Sequence, residues 1–150
     1  MNRSVWSSGS EVVKKPWGYE SKWTTMLPLD GKVLYIDKGA RTSMKMFTSK
    51  DEVLFVQKGK VKATVADENI FSKNTAEFRI VNMEEGSVLN IQSGCPYRLE
   101  AVDEGCIVVE MSTGHSHGCV RLLDDFGRNI DNEKAAIVNT KLERLENDSN

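Results

Sequence analysis

The sequence predicts an all-β chain, built as a sandwich, jelly roll or small barrel and followed by one short C-terminal helix. Three observations carry this. Apolar and polar residues alternate in short β-branched or aromatic runs, turn residues separate those runs, and no helical period intervenes before residue 132. Residues 32–37 form a first clear run, and Asp30-Gly31 before it reads as a tight turn. Runs 52–57 and 60–65 flank Lys58-Gly59, whose glycine supplies the positive φ of a hairpin, so the two are expected to fold back on each other. Residues 66–76 are polar apart from Ile70 and Phe71, and are expected to form a long loop over one barrel mouth, placed like a lid. Runs 77–81, 87–91 and 106–111 supply further strands. Ala135, Val138, Leu142 and Leu145 recur at helical spacing within 132–146. This predicts an amphipathic helix packed on the barrel or on a partner subunit, with a disordered tail after it. The chain accordingly divides into an N-terminal extension (1–11), a barrel domain (12–131) and a C-terminal helix with tail (132–150).

A chain of 150 residues, 39% hydrophobic and 28% charged, suits one compact soluble domain with a single core. The net charge is −2 and both signs are mixed along the chain, which argues against a nucleic-acid partner. The longest apolar runs, such as 53–56 and 107–109, are strand-length, and the N-terminus has no apolar targeting segment. A cytoplasmic protein without a membrane partner is expected. Cys95, Cys106 and Cys119 form no CxxC pair, and their odd number argues for reduced, structural thiols.

From Gly39 to Gly59 the spacing resembles the first motif of the cupin superfamily: a glycine, five residues, His-x-His, a short gap, a glutamate, six residues and a glycine. Lys45 and Phe47 stand at the histidine positions and Glu52 at the carboxylate. Residues 86–101 resemble the second cupin motif, with Tyr97 at its histidine. The resemblance implies a cupin double-stranded β-helix, that is, a jelly-roll barrel. A narrower likeness rests on order: Pro16-Trp17-Gly18-Tyr19-Glu20, the first motif, Tyr97-Arg98-Leu99-Glu100, Glu110, then Arg121, Asp124, Phe126, Gly127 and Arg128. Over roughly residues 12–130 the chain resembles the C-terminal domain of bifunctional mannose-6-phosphate isomerase and mannose-1-phosphate guanylyltransferase proteins, the type II phosphomannose isomerase cupin. That implies carbohydrate metabolism, with a sugar phosphate or nucleotide sugar as ligand. The chain departs from the family in two places: the metal ligands are replaced, and the segment between Glu110 and Arg121 is shorter.

Alternate residues on a strand face the same side, so Lys45 and Phe47 are expected to point into the barrel, with Met44 and Met46 on the opposite face. A protonated lysine has no lone pair, phenylalanine has none, and a neutral phenol is a poor ligand. No metal cofactor is therefore expected at these positions. A lysine ammonium beside Glu52 puts positive charge roughly where a cation would be, and Tyr97 can hydrogen-bond to either partner. Lys45, Glu52 and Tyr97 are thus candidate catalytic residues of a metal-free acid/base or anion site. The competing reading is a satisfied internal ion pair without function. In a third, the register slips by one residue and Lys45 is a solvated surface lysine.

Other residues invite chemistry. Arg98, Arg121 and Arg128 are candidate substrate-binding residues, because guanidinium forks suit phosphate; a surface salt bridge with Asp124 or Asp125 is the alternative. His115, His117 and Cys119 lie within one short segment and offer a relocated metal site, against an incidental glycine-flanked loop. Trp17, Tyr19 and Trp23 suit either sugar stacking or the core.

Two functions of different class follow. One is a barrel site that binds a carbohydrate-type small molecule, isomerising it by proton transfer if it is an enzyme. The other is a non-catalytic cupin with a filled barrel, acting as a dimeric structural or regulatory module. A metal-dependent enzyme with relocated ligands is a further alternative. A homodimer is expected in each case.

Overall fold

Strand alternation buries every second side chain on one face, and here that face is the inside of a curled sheet. The computed structural model describes residues 4–114 and 118–149. In chain order the strands are β1 (Glu11–Lys15), β2 (Gly18–Lys22), β3 (Leu29–Ile36), β4 (Met44–Phe47), β5 (Glu52–Val65), β6 (Arg79–Met83), β7 (Val88–Ile91), β8 (Tyr97–Thr113) and β9 (Cys119–Leu123), and the helix α1 (Asn132–Asp148) follows. Pairing is antiparallel throughout. One path runs β1-β2-β3-β8-β4-β9, while β5 lies beside β8 and carries β6 and β7 on its other edge. The chain has the all-β jelly-roll fold, with one helix at its C-terminal side.

The spine of the barrel is the β5–β8 pair, and it corrects one expectation. Runs 52–57 and 60–65 do not form a hairpin; they are one continuous strand. The inward residues are Glu52, Leu54 and Val56, then Val61, Ala63 and Val65, so the parity of the buried face switches between them. The register against β8 slips at Lys58 and Lys60. Gly59 adopts φ 85°, and a Cβ there would lie 2.9 Å from the Gly105 carbonyl oxygen. On β8 the matching switch runs from Tyr97, Leu99 and Ala101 to Cys106, Val108 and Glu110, with Asp103 at φ 66° between them. Positive-φ glycines serve bulges as well as turns, and here the bulge wins because both halves of β5 pair with the same neighbour. Asp30-Gly31 also lies inside a strand, β3, rather than at a turn. What Gly31 supplies is space: a Cβ would lie 2.2 Å from Trp23 Cε3.

Two apolar layers result. Inside the barrel, Leu34, Ile36, Leu54, Val56, Leu99 and Val108 pack with Trp17 and Tyr97. On the outside, Met44, Ile70, Phe78, Leu122 and Val138 form a second cluster beneath α1. The segment 66–76 belongs to this second layer and is no lid over the mouth. Its two apolar residues anchor it: Ile70 is buried in the cluster and Phe71 packs against it. The helix starts where the Asp131 side chain accepts from the Lys134 amide at 3.1 Å. It buries Ala135 and Val138, half-buries Leu142 and Leu145, and continues to Asp148, beyond the expected end at 146. Lys141, also buried, donates to the Lys73 carbonyl oxygen at 2.9 Å and to that of Ala76, which pins the 66–76 segment to the helix. Among the described residues, no helix is long and apolar enough to cross a membrane.

Candidate functional site

One end of the barrel interior is charged rather than apolar. On the inward face Glu52 stands opposite Ser112, Glu110 stands between Leu54 and Lys32, and Lys45 stands opposite Tyr97. The Tyr97 hydroxyl donates to Glu52 Oε2 at 2.9 Å, and Glu52 and Glu110 are hydrogen-bonded to each other. Lys50 Nζ lies 3.9 Å from Glu52 Oε2 and 3.7 Å from Glu110 Oε2. Lys32 Nζ continues the chain, 3.5 Å from Glu110 Oε2 and 3.1 Å from Glu20 Oε2. Aromatic faces complete it, with Lys50 Nζ 4.0 Å above the Phe47 ring and Lys45 Nζ 5.8 Å from the Tyr97 ring. The slipped register is not the observed one: Lys45 is half-buried and feels the charges of Glu110 and Glu52.

Such burial needs compensation, and the charges are divided accordingly. Burial, then the charge of Glu110 and the hydrogen bond to it, push the Glu52 carboxyl up to about 8. Burial would also raise Glu110, but Lys32, the hydrogen bond from Glu52, Lys50 and Lys45 hold it below the ordinary value. At neutral pH the pair therefore holds one proton between its two carboxyls, with the surrounding lysines favouring the charge on Glu110. Burial lowers Lys45, reinforced by the like charge of Lys32. Burial also lifts Tyr97 well above its usual range, with Glu110 and Glu52 adding to it, so the phenol is a donor.

A cavity of about 310 Å³ opens onto this network, with Lys22, Trp23, Lys32, Lys50, Glu110 and Ser112 on its wall. The Ser112 hydroxyl is buried and has no hydrogen-bond partner among the described residues. Lys45, Glu52 and Tyr97 are not on this wall; Glu52 reaches it through Glu110 and Lys50, Tyr97 reaches Glu52, and Lys45 lies over the Tyr97 ring.

The candidate arginines are placed elsewhere. Arg98 follows Tyr97 on β8 and so faces the outer side, where its Nε donates to the Thr42 carbonyl oxygen at 2.9 Å. Arg121 Nε lies 3.4 Å from Ser43 Oγ. Arg128 grips Asp124 through its guanidinium, at 2.8 Å and 3.1 Å, and through its own amide at 2.7 Å, closing the turn before α1. The structure does not bring the three together, nor does it set them on the cavity with Glu110. Cys119 is exposed on β9, while His115 and His117 lie outside the described residues. Among the aromatic candidates, Trp17 is core, Tyr19 stacks on Tyr35 with centroids 4.3 Å apart, and Trp23 borders the cavity.

Sequence reasoning missed Glu20, Lys32 and Lys50 as members of the site and used Glu110 only as a point of resemblance. The signal was parity. Lys32 shares its face with Leu34 and Ile36, and Glu110 shares its face with Val108.

Cupin barrels suggest a metal at this depth, and the donors present do not fit one. A lysine, a phenyl ring and a buried phenol stand where nitrogen ligands would be needed, and the remaining carboxyl accepts from Tyr97 and is hydrogen-bonded to Glu110. Among the described residues no group of three His, Cys, Asp or Glu is placed to hold an ion.

No protein-family model matches the chain, and no curated protein matches it by sequence. Solved structures do match by shape. A mutant oxalate decarboxylase of Bacillus subtilis aligns with TM-score 0.65 and 16% identity over 81% of this chain and 34% of its own. The capsular polysaccharide assembling protein CapF of Staphylococcus aureus aligns with TM-score 0.62 and 14% identity, covering 73% of this chain and 32% of its own. The oxalate decarboxylase formate complex of Lactobacillus farciminis gives TM-score 0.59 and 18% identity, over 75% and 35%. The chain spans about a third of the length of these proteins, and the likeness is one of fold, an all-β jelly-roll barrel of the cupin type.

Proposed function

We propose that this chain is a metal-independent cupin that binds a carbohydrate-type ligand, a sugar phosphate or nucleotide sugar, at the charged end of its barrel and isomerises it by proton transfer. The observation that carries the reading is the Glu52–Glu110 pair, which shares a proton at the wall of an open cavity bordered by lysines. Glu110, ionised and on that wall, takes the proton from the sugar carbon beside the carbonyl and returns it to the neighbouring carbon, while the hydroxyl proton moves between the two oxygens. No electron acceptor or donor is needed. Lys32 and Lys50 stabilise the negative charge that develops on the enediolate oxygen. Lys22 at the rim meets the phosphate, Trp23 offers its face to the sugar, and the unpartnered Ser112 hydroxyl gains an acceptor. Lys45, Glu52 and Tyr97 set the protonation state of Glu110 without lining the cavity. A cytoplasmic homodimer is part of this reading; three free cysteines support the compartment, and the exposed apolar outer face of Val53, Phe55, Val88 and Met111 supports the pairing.

A thermal-shift panel of sugar phosphates, nucleotide sugars and divalent metals tests the binding. The expected result is a raised Tm with a sugar-derived member and a smaller rise in Trp23→Ala. Loss of sugar proton signal to D2O in the presence of the protein then tests isomerisation separately. One observation favours a second reading, a filled barrel that acts through a protein surface: Lys50 covers Phe47, and the three sequence candidates do not line the cavity. A panel without any shift selects that reading and rejects the first.

A further inference from the structure

A second cavity, of about 420 Å³, lies between the outer face of the barrel and the last turns of α1, on the other side of the sheet from the carboxyl pair. Arg41, Lys62 and Arg98 border it from the barrel, with Met44 at its base and Leu142 and Leu145 from the helix. Two features of this place are not accounted for by folding. Arg98 is only 5% exposed, yet its Nη2 has no hydrogen-bond partner among the described residues. In addition, one carboxylate serves two guanidiniums: Asp125 receives the Arg41 fork, with Nη2 2.8 Å from Oδ1, and reaches Arg98 Nη2 only at 3.6 Å. Burial, and after it the positive charge of Arg41, holds Arg98 below the usual arginine value, against the opposing pull of Asp125, Asp124 and Glu100. Lys62 is no better served, with its Glu100 partner at 3.9 Å.

A buried donor left without an acceptor is costly, and Arg98 borders a cavity that could admit one. The other wall narrows the choice of ligand. The C-terminal end of α1 carries partial negative charge and Glu146 adds a full one, so a single negative charge is favoured over two. Leu142 and Leu145 offer apolar surface for the remainder of the molecule.

We propose that this cavity is a second ligand site, separate from the barrel, for a small organic carboxylate whose oxygens meet Arg98 and Lys62 and whose apolar body lies against Leu142 and Leu145. The test is titration of the full chain with benzoate, followed by NMR of the leucine methyl groups and the arginine side chains. Saturable shifts are expected at Leu142, Leu145 and Arg98. Arg98→Gln should weaken binding by about tenfold or more, and Lys62→Ala, an exposed position that leaves the fold intact, by several-fold. Phenyl phosphate should bind more weakly than benzoate. The proposal is overturned by an absence of saturation at about 10 mM benzoate. It is equally overturned by affinity unchanged in Lys62→Ala and Arg98→Gln, or by shifts confined to the Trp23 and Lys50 end of the barrel. Because the two cavities share no residue, failure here leaves the barrel reading standing, and the converse also holds.

Discussion

Replacing Glu52 by glutamine isolates the cost of the buried proton. The folded chain holds the Glu52 carboxyl at about 8, against an ordinary 4.5. Between those values the folded state keeps a proton that the unfolded state has released, so the contribution of Glu52 to stability is full below 4.5, falls as pH rises and is exhausted above about 8. The slope is at most about 1.4 kcal/mol per pH unit, and the whole window is worth roughly 5 kcal/mol. The glutamine of Glu52→Gln donates to Glu110 as the protonated carboxyl does and accepts from Tyr97, but does not titrate. Urea unfolding of both proteins from pH 5 to 8 is the assay. The stability of the wild type relative to the variant should fall by about 1 kcal/mol per pH unit, leaving the variant the more stable at the alkaline end. A difference that stays constant over this range would refute the shared proton, and with it the acid/base role given to Glu110.

Gly31→Ala places a methyl group where the Trp23 ring lies; the emission of Trp23 should shift to the red and sugar-phosphate affinity should fall, while stability changes by only about 1 kcal/mol in urea. Lys141→Met strips two carbonyl oxygens of their donor and should cost about 2 kcal/mol, with amide exchange rising first in 66–76. Leu122→Ala, at a fully buried position on β9 packed in the cluster beneath α1, should cost about 3 kcal/mol by urea unfolding. Phe55→Lys puts a charge on the exposed apolar sheet face; under the pairing proposed above, light scattering should report a dimer for the unaltered chain and a monomer for the variant, and two monomers would reject the pairing.

The fold class was legible because alternation survives in almost every strand, and the helix because Ala135, Val138, Leu142 and Leu145 keep their period. The β5 corner was misread because Lys58-Gly59 looks the same whether the chain reverses or bulges; only the change of parity from Leu54 and Val56 to Val61 and Ala63 separates the two cases. The 66–76 segment was misread for a related reason. Its composition is polar, but two apolar residues suffice to seat it, and the helix that receives them lies far along the chain. Motif spacing picked out Lys45, Glu52 and Tyr97, which are neighbours in the charged end of the barrel but do not line its cavity. Their partners Lys32, Lys50 and Glu20 look like ordinary surface charges, since charged residues are exposed far more often than buried. No local pattern separates Arg98 from Arg121, because which side of a sheet a helix covers is decided by tertiary packing.

The matched irregularity at Gly59 and Asp103 to Gly105 also constrains how this chain can change length. Both long strands turn their faces over at the same level, so deleting one residue near Lys58 would remove the switch from β5 alone and leave a plainly alternating strand opposite a β8 that still turns over, unless a compensating deletion occurred in β8. Insertions and deletions in descendants of this chain should therefore collect at the 23–28 and 84–87 connections, and at the corner should be found only in pairs.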